Sequence, residues 1–197
     1  HLTRWMGRTF ETAVRWQVLD VQADMSEWFD APILYISGAS SPRFSAEQMD
    51  KLRTFAFRGG LIVSEAAGDS APFNLTIRRL YGQLFPELPI ESIPADHPVL
   101  SAHRRLERPV RLQGISNGVR LLAIHSPRDL SKAWQSDDTS GGADLFHLGA
   151  NIYFHATDFA SLRGRSSDGR PLWPDGPAPA PIRTVRSVRL KHEGNWD

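Results

Sequence analysis

Three apolar runs in this chain end in polar residues, and those residues have the most chemistry to offer. "APILYISG" (31–38) ends in Ser37 and Gly38. "GGLIVSEAAGD" (59–69) passes through Ser64 and Glu65 to Asp69. "VRLLAIHSPRDL" (119–130) ends in His125, Ser126 and Asp129. A carboxylate within hydrogen-bond reach of an imidazole is the minimum for general acid–base hydrolysis. Glu65 or Asp129 as base, with His97 or His125 as its partner, would meet that requirement. The plainer alternative is structural: loop carboxylates cap helices, and Asp96 in "PADHPVL" and Asp129 in "HSPRDL" suit Asx-type turns. The turn reading is the stronger for those two segments, and Asn74 is a candidate cap for the helix that follows Asp69.

Nucleophilic catalysis finds little support. The chain has no cysteine, so thiol nucleophiles, disulfides and thiolate zinc sites are excluded. A nucleophile elbow places small residues two before and two after its serine. Those positions hold Ile62 and Ala66 around Ser64, Tyr35 and Ala39 around Ser37, and Ile124 and Arg128 around Ser126. On the last long helix His147, Asn151, His155 and Asp158 recur every three or four residues, which reads as a solvated face. The two histidines are eight apart, too much angular drift for a helical metal pair. No metal and no cofactor is expected.

These polar groups need elements to hold them. Residues 2–14 have helical apolar spacing, and "RWQVLDV" (15–21) alternates as a short strand, with Trp16 and Val18 on one face. The runs beginning at 33, 61 and 119 are nearly continuous β-formers, the signature of strands covered on both faces of a parallel sheet. Between the first two, "SAEQMDKLRTFAFR" opens with Ser45 and Gln48 in a capping box and ends at Gly59 and Gly60. "NLTIRRLYGQLF" is a helix with Leu75, Leu80 and Leu84 inward, stopped by Pro86. Residues 86–118 are proline-rich, with a strand at 90–93 and an irregular excursion after it. "DLFHLGANIYFHATDFASL" is a long helix whose apolar side carries Leu145, Leu148, Gly149, Ile152, Ala156 and Phe159. Short strand–helix alternation predicts right-handed crossovers and a three-layer α/β fold with a mostly parallel sheet. If the three runs lie side by side and point the same way, Ser37, Gly38, Ser64, Glu65, Asp69, His97, His125 and Asp129 become candidates for lining one rim, where open α/β sheets bind ligands.

The domain is expected to span 1–165. A Pro/Gly-rich linker, 166–182, and an added strand, 183–197, follow it. That strand offers an edge through which a partner could associate. The 197 residues include 23 basic and 22 acidic side chains, net +1, with 41% hydrophobic residues. This is a globular balance, and nucleic acid is not an expected partner. Arg104, Arg105, Arg108 and Arg111 cluster, but as a solvated loop more readily than a phosphate patch. The tryptophans are scattered and suit packing better than a sugar platform. No apolar run approaches the roughly 20 residues of a membrane span, so no membrane insertion by this segment is expected. A start at His1 reads as a processed or excised piece.

The ordered set "APILYISG", "LRTFAFRGGLIVSEAAG", "FPELPIESIPADHPVL", "VRLLAIHSPRDLSKAW" and "LGANIYFHAT" resembles the bacterial domain of unknown function 4159 over about 16–160. That family is similar to ThuA-like and class I glutamine amidotransferase-like flavodoxin folds. The resemblance implies a flavodoxin-like, amidotransferase-like architecture. Family members often carry two acids after the "GG" strand; here the positions read Ser64 and Glu65, which weakens an inherited metal or catalytic role. Amidotransferase activity cannot be carried over without a cysteine. The tail "VRLKHEGNWD" resembles the opening of such a domain, implying a second copy. The resemblance also implies an exported or membrane-associated parent protein acting beside partner proteins. The expected function is therefore a non-catalytic domain binding a protein or small molecule at the strand tips. The alternative is a hydrolase on saccharide or amide substrates.

Overall fold

A computed structural model describes residues 1–108 and 110–157. The expected linker and terminal strand, together with Asp158 and Phe159, lie outside the described residues. The three apolar runs form β1 (Ile33–Gly38), β2 (Leu61–Ala66) and β5 (Leu121–Ser126), and they are parallel neighbours. Two short strands, β3 (Glu91–Ser92) and β4 (Gln113–Ser116), extend the sheet antiparallel, giving the order β1-β2-β5-β4-β3. The fold is α/β with a five-stranded, mostly parallel sheet. β2 and β5 are buried at every position, as continuous apolar runs require of central strands.

Helices cover both faces. α3 (Ala46–Phe57) and α4 (Ala71–Leu84) pack Leu52, Phe55, Phe73, Ile77 and Leu80 against Ile62, Ala66 and Ala123 of the sheet. On the other face α6 (Ala143–Thr157) sets Leu148 and Ile152 against Leu61, Val63 and Ile124. Each such fully buried Leu, Ile or Phe contributes about 1.5–3 kcal/mol of transfer free energy. α1 (Leu2–Phe10) leans on α6, where the Leu2 side chain lies over Gly149. α2 (Met25–Trp28) and α5 (Ser131–Gln135) are single turns.

α3 starts as its sequence dictates. Gln48 N–H donates to Ser45 Oγ (3.3 Å) and Ser45 N–H to Gln48 Oε1 (2.9 Å). Its two terminal glycines serve different ends. Gly59 takes φ +121°, which a side chain would resist. Gly60 makes room: a Cβ there would lie 2.3 Å from the Phe55 ring.

Several expectations are corrected. α1 ends at Phe10, and residues 15–21 are not a strand; Trp16 and Val18 are 74% and 85% exposed. Leu75 points to solvent because the inward stripe of α4 runs through Phe73, Ile77, Leu80 and Tyr81. α4 is capped by Ser70, whose Oγ accepts from Phe73 N–H (3.3 Å), and not by Asn74. Part of the supposed excursion is the strand β4. The polar stripe on α6 is not solvated throughout, since Asn151 is completely buried.

Candidate functional site

Parallel register places the polar tips on one rim, and the two-residue alternation of a strand then divides them between its faces. Ser37 pairs with Glu65 and Glu65 with Ser126, so these three share the α6 side. Ile36, Ser64 and His125 form the next rung on the α4 side. Gln113 pairs with His125 and Ser92 with Gln113, extending that rung across the sheet.

Every carboxylate of the rim is committed. Glu65 is wholly buried; it accepts from Ser37 Oγ (2.9 Å) and from the main-chain N–H groups of Leu130 (2.7 Å) and Ser131 (2.9 Å) at the start of α5. The Tyr35 hydroxyl faces the same carboxylate, and burial, with the Glu65 charge beside it, pushes its pKa well up. Asp69 and Asp129 clasp two loops together. Gly68 N–H donates to Asp129 Oδ2 (2.7 Å), and Asp129 N–H donates to Asp69 Oδ1 (2.8 Å). Asp129 also accepts from Ser131 Oγ (3.1 Å) and Lys132 N–H (2.8 Å), capping α5 as its turn motif suggests. Burial works to raise the Asp129 carboxyl. The bonds from Gly68, Lys132 and Ser131, with the Lys132 charge, outweigh it and hold the pKa below the usual carboxylate range. Gly38 closes β1 because a Cβ there would lie 2.8 Å from the Phe73 ring.

On the α4 side a buried chain of polar groups runs Tyr81, Ser64, His125, Asn74. Tyr81 Oη donates to Ser64 Oγ (2.8 Å), and Ser64 Oγ lies 2.9 Å from His125 Nδ1. His125 Nε2 lies 2.9 Å from Asn74 Oδ1, and Asn74 Nδ2 donates to the Pro127 carbonyl (3.1 Å). With the amide so oriented, Nε2 carries the ring proton and Nδ1 accepts from the serine. Burial drives the His125 pKa down to about 4, a hydrogen bond with the Ser64 main chain only partly opposes it, and the Arg78 charge adds to the fall. The imidazole is neutral at pH 7. Sequence reasoning missed Asn74 and Tyr81 as partners. Their positions seven apart on one face of α4 were the available signal.

Beyond this chain lies a cavity of about 370 Å³, lined by Asn74, Arg78, Ser92, Arg111, Leu112, Gln113, His125 and Pro127. Arg111, assigned by sequence to a solvated loop, reaches this wall.

The structure does not bring His97 to the acids. Its Nδ1 accepts from Val99 N–H (3.1 Å), and its ring lies 5.7 Å from that of His155 on α6. His1 Nδ1 lies 3.4 Å from Asp137 Oδ2, at the N-terminal end of α1. No group of three or more metal-ligating side chains forms among the described residues, and no helix there is long and apolar enough to cross a membrane.

No curated protein matches this chain. The family model for a domain of unknown function, DUF4159, matches residues 1–157, from α1 through the last described turn of α6, and the chain belongs to that family.

Proposed function

We propose that this domain binds a small molecule or a protein partner at the C-terminal rim of its sheet, without covalent chemistry. The candidate rim residues are Ser37, Gly38, Ser64, Glu65, Asp69, His97, His125 and Asp129; of these His125 lines the cavity where the ligand is expected to sit, and the buried Ser64 and Glu65 would act by holding the rim in shape. The same reading places the domain in a larger exported or membrane-associated bacterial protein, with kinship to ThuA-like and amidotransferase-like folds. One observation carries it: Glu65 lies on the α6 face of the sheet and Asp69 and Asp129 are tied up in the loop clasp, all already hydrogen-bonded, while the imidazole and the open cavity lie on the α4 face. An acid–base pair would need them together.

The competing reading is a hydrolase of saccharides or amides, and the Ser64–His125–Asn74 chain favours it. Access weighs against it. Ser64 has no exposed surface, and its oxygen already receives the Tyr81 proton.

A panel of nitrophenyl glycosides and anilides, run beside a fragment set of neutral, cationic and anionic compounds followed by amide NMR, separates the two. Expected are no turnover and saturable shifts around residues 92, 112–113 and 125–127. Turnover abolished by His125→Asn, or fragments that shift only residues away from the rim, would overturn the proposal.

A further inference from the structure

We infer that the cavity on the α4 face is an oxyanion site, taking a small ligand by its carboxylate or phosphate group between Arg78 and Arg111. This rests on the binding reading above and names the ligand's chemistry.

The rung Ser64, His125, Gln113, Ser92 crosses four of the five strands with a polar side chain at every step, on a face otherwise packed with Ile62, Ala66 and Ala123. Ser64 and His125 are buried and bonded to each other and to Tyr81 and Asn74; the half-buried Gln113 amide and the exposed Ser92 hydroxyl line the cavity with no hydrogen-bond partner among the described residues, which leaves them available to a ligand. α4 sets Asn74 and, one turn later, Arg78 on the same wall.

No carboxylate lines the cavity, although two guanidiniums do. Arg53, Arg104 and Arg128 each have an acidic partner. Arg78 and Arg111 have no acidic partner among the described residues. Two unpaired like charges on one cavity raise its potential and attract an anion. The guanidinium fork matches the paired oxygens of a carboxylate or phosphate. His125 does not compete for that role, because both its ring nitrogens are taken. Leu112 and Pro127 supply an apolar wall for the body of the ligand, and the volume falls within the range of small-molecule sites.

The test is an amide NMR titration of the 197-residue chain at constant ionic strength. The probes are inorganic phosphate, phenyl phosphate, benzoate and benzamide, the last a neutral isostere of benzoate. Expected are saturable shifts at Ser92, Gln113 and their neighbours with phenyl phosphate or benzoate. Affinity should fall about tenfold or more with benzamide, and by a similar factor in Arg78→Gln and Arg111→Gln. Both arginines are exposed, so the variants should melt with the parent. The stronger of the phosphate and carboxylate arms identifies the group. Equal binding of benzamide and benzoate, or full affinity in both arginine variants, would overturn the anion assignment while the binding reading stands. So would a failure of all four probes at these residues when neutral or cationic fragments still bind the rim; if those fail too, both proposals fall.

Discussion

Ser64 and Glu65 are adjacent in the chain and fully buried, yet their side chains work on opposite faces of the sheet. The serine hydroxyl joins Tyr81 to His125 beneath α4, whereas the glutamate carboxylate receives the first N–H groups of α5. The one strand tip therefore anchors two separate polar systems. It cannot present hydroxyl, imidazole and carboxylate to one substrate.

The Ser64 system should show its wiring in a stability ranking. Tyr81→Phe removes one donor and leaves Ser64 still bonded to His125; about 1 kcal/mol is the expected cost. Ser64→Ala leaves both the Tyr81 hydroxyl and His125 Nδ1 buried without a partner, and should cost roughly 2–3 kcal/mol. Urea unfolding of both variants checks the order. A reversed order would mean that the chain is not connected as described.

Glu65 should tolerate amide replacement better than truncation. In Glu65→Gln the remaining carbonyl oxygen still accepts from Leu130 and Ser131, and the new NH₂ can turn toward Ser37; a loss of about 1 kcal/mol is expected. Glu65→Ala strands two main-chain donors and should cost about 3 kcal/mol or more. Equal losses would show that negative charge, not the hydrogen-bond pattern, is what α5 requires.

Stability should fall in mild acid because of His125. Above pH 6.5 the imidazole is neutral in folded and unfolded states, and contributes nothing to the pH dependence. Between about 6.5 and about 4 the unfolded chain takes up a proton that the buried ring refuses. Over that window roughly 3 kcal/mol is lost, and the loss levels off below the folded pKa. His97 and His147, also held low by burial, act in the same sense. Comparing wild type with His125→Asn by urea unfolding from about pH 7.5 to 4.5 isolates the largest share. A wild-type profile flat over that range contradicts the buried, neutral assignment.

How much of this is legible without coordinates differs from element to element. β1, β2 and β5 are plain because central parallel strands must be apolar on both faces, and few other elements produce such runs. β4 is not, because the four residues Gln113–Ser116 carry one large apolar side chain and gain strand identity by pairing with β5 and β3. Residues 15–21 mislead in the opposite way: they alternate, but Trp16 and Val18 remain exposed, so the pattern has no core to serve. The rim itself follows from strand direction. Its division between two faces follows from alternation applied to Ser64 and Glu65. The partners Asn74, Tyr81 and Arg111 come from elements whose placement depends on tertiary packing, which a local pattern does not specify.

The loop clasp should depend on backbone shape as well as on charge. Gly68 and Asp69 take φ +62° and +58° in succession. Gly68→Ala meets no atom within 4 Å, so its cost is conformational alone, about 1 kcal/mol. Asp69→Asn keeps an acceptor for Asp129 N–H and tolerates the left-handed backbone; it loses only the exposed pair with Arg128 at 3.4 Å. That change should be within about 0.5 kcal/mol of neutral, whereas Asp69→Ala should cost about 1–2 kcal/mol. Thermal unfolding of the three variants checks the sequence of effects. A large loss in Asp69→Asn would assign the clasp to electrostatics instead.

Asn151 is a fixed point of the α6 face. Its side chain makes four hydrogen bonds: Oδ1 accepts from His103 N–H (2.8 Å) and Arg104 N–H (2.9 Å), and Nδ2 donates to the carbonyls of Leu100 (2.9 Å) and Arg104 (2.8 Å). The full capacity of one amide is spent on turning residues 100–104 back onto the helix. Asn151→Ala would leave two donors and two acceptors without it, and should cost about 3 kcal/mol or more. Asn151→Asp keeps the two acceptor contacts but turns both donors into repulsion between a carboxylate and carbonyl oxygens, so it should be no better tolerated at pH 7. The discriminating measurement is hydrogen exchange at His103 and Arg104. Those amides should be protected in the wild type and exchange much faster in either variant, while β2 and β5 keep their protection. Uniform loss of protection across the sheet would instead make Asn151 part of the global core, with no separate role for the 100–104 turn.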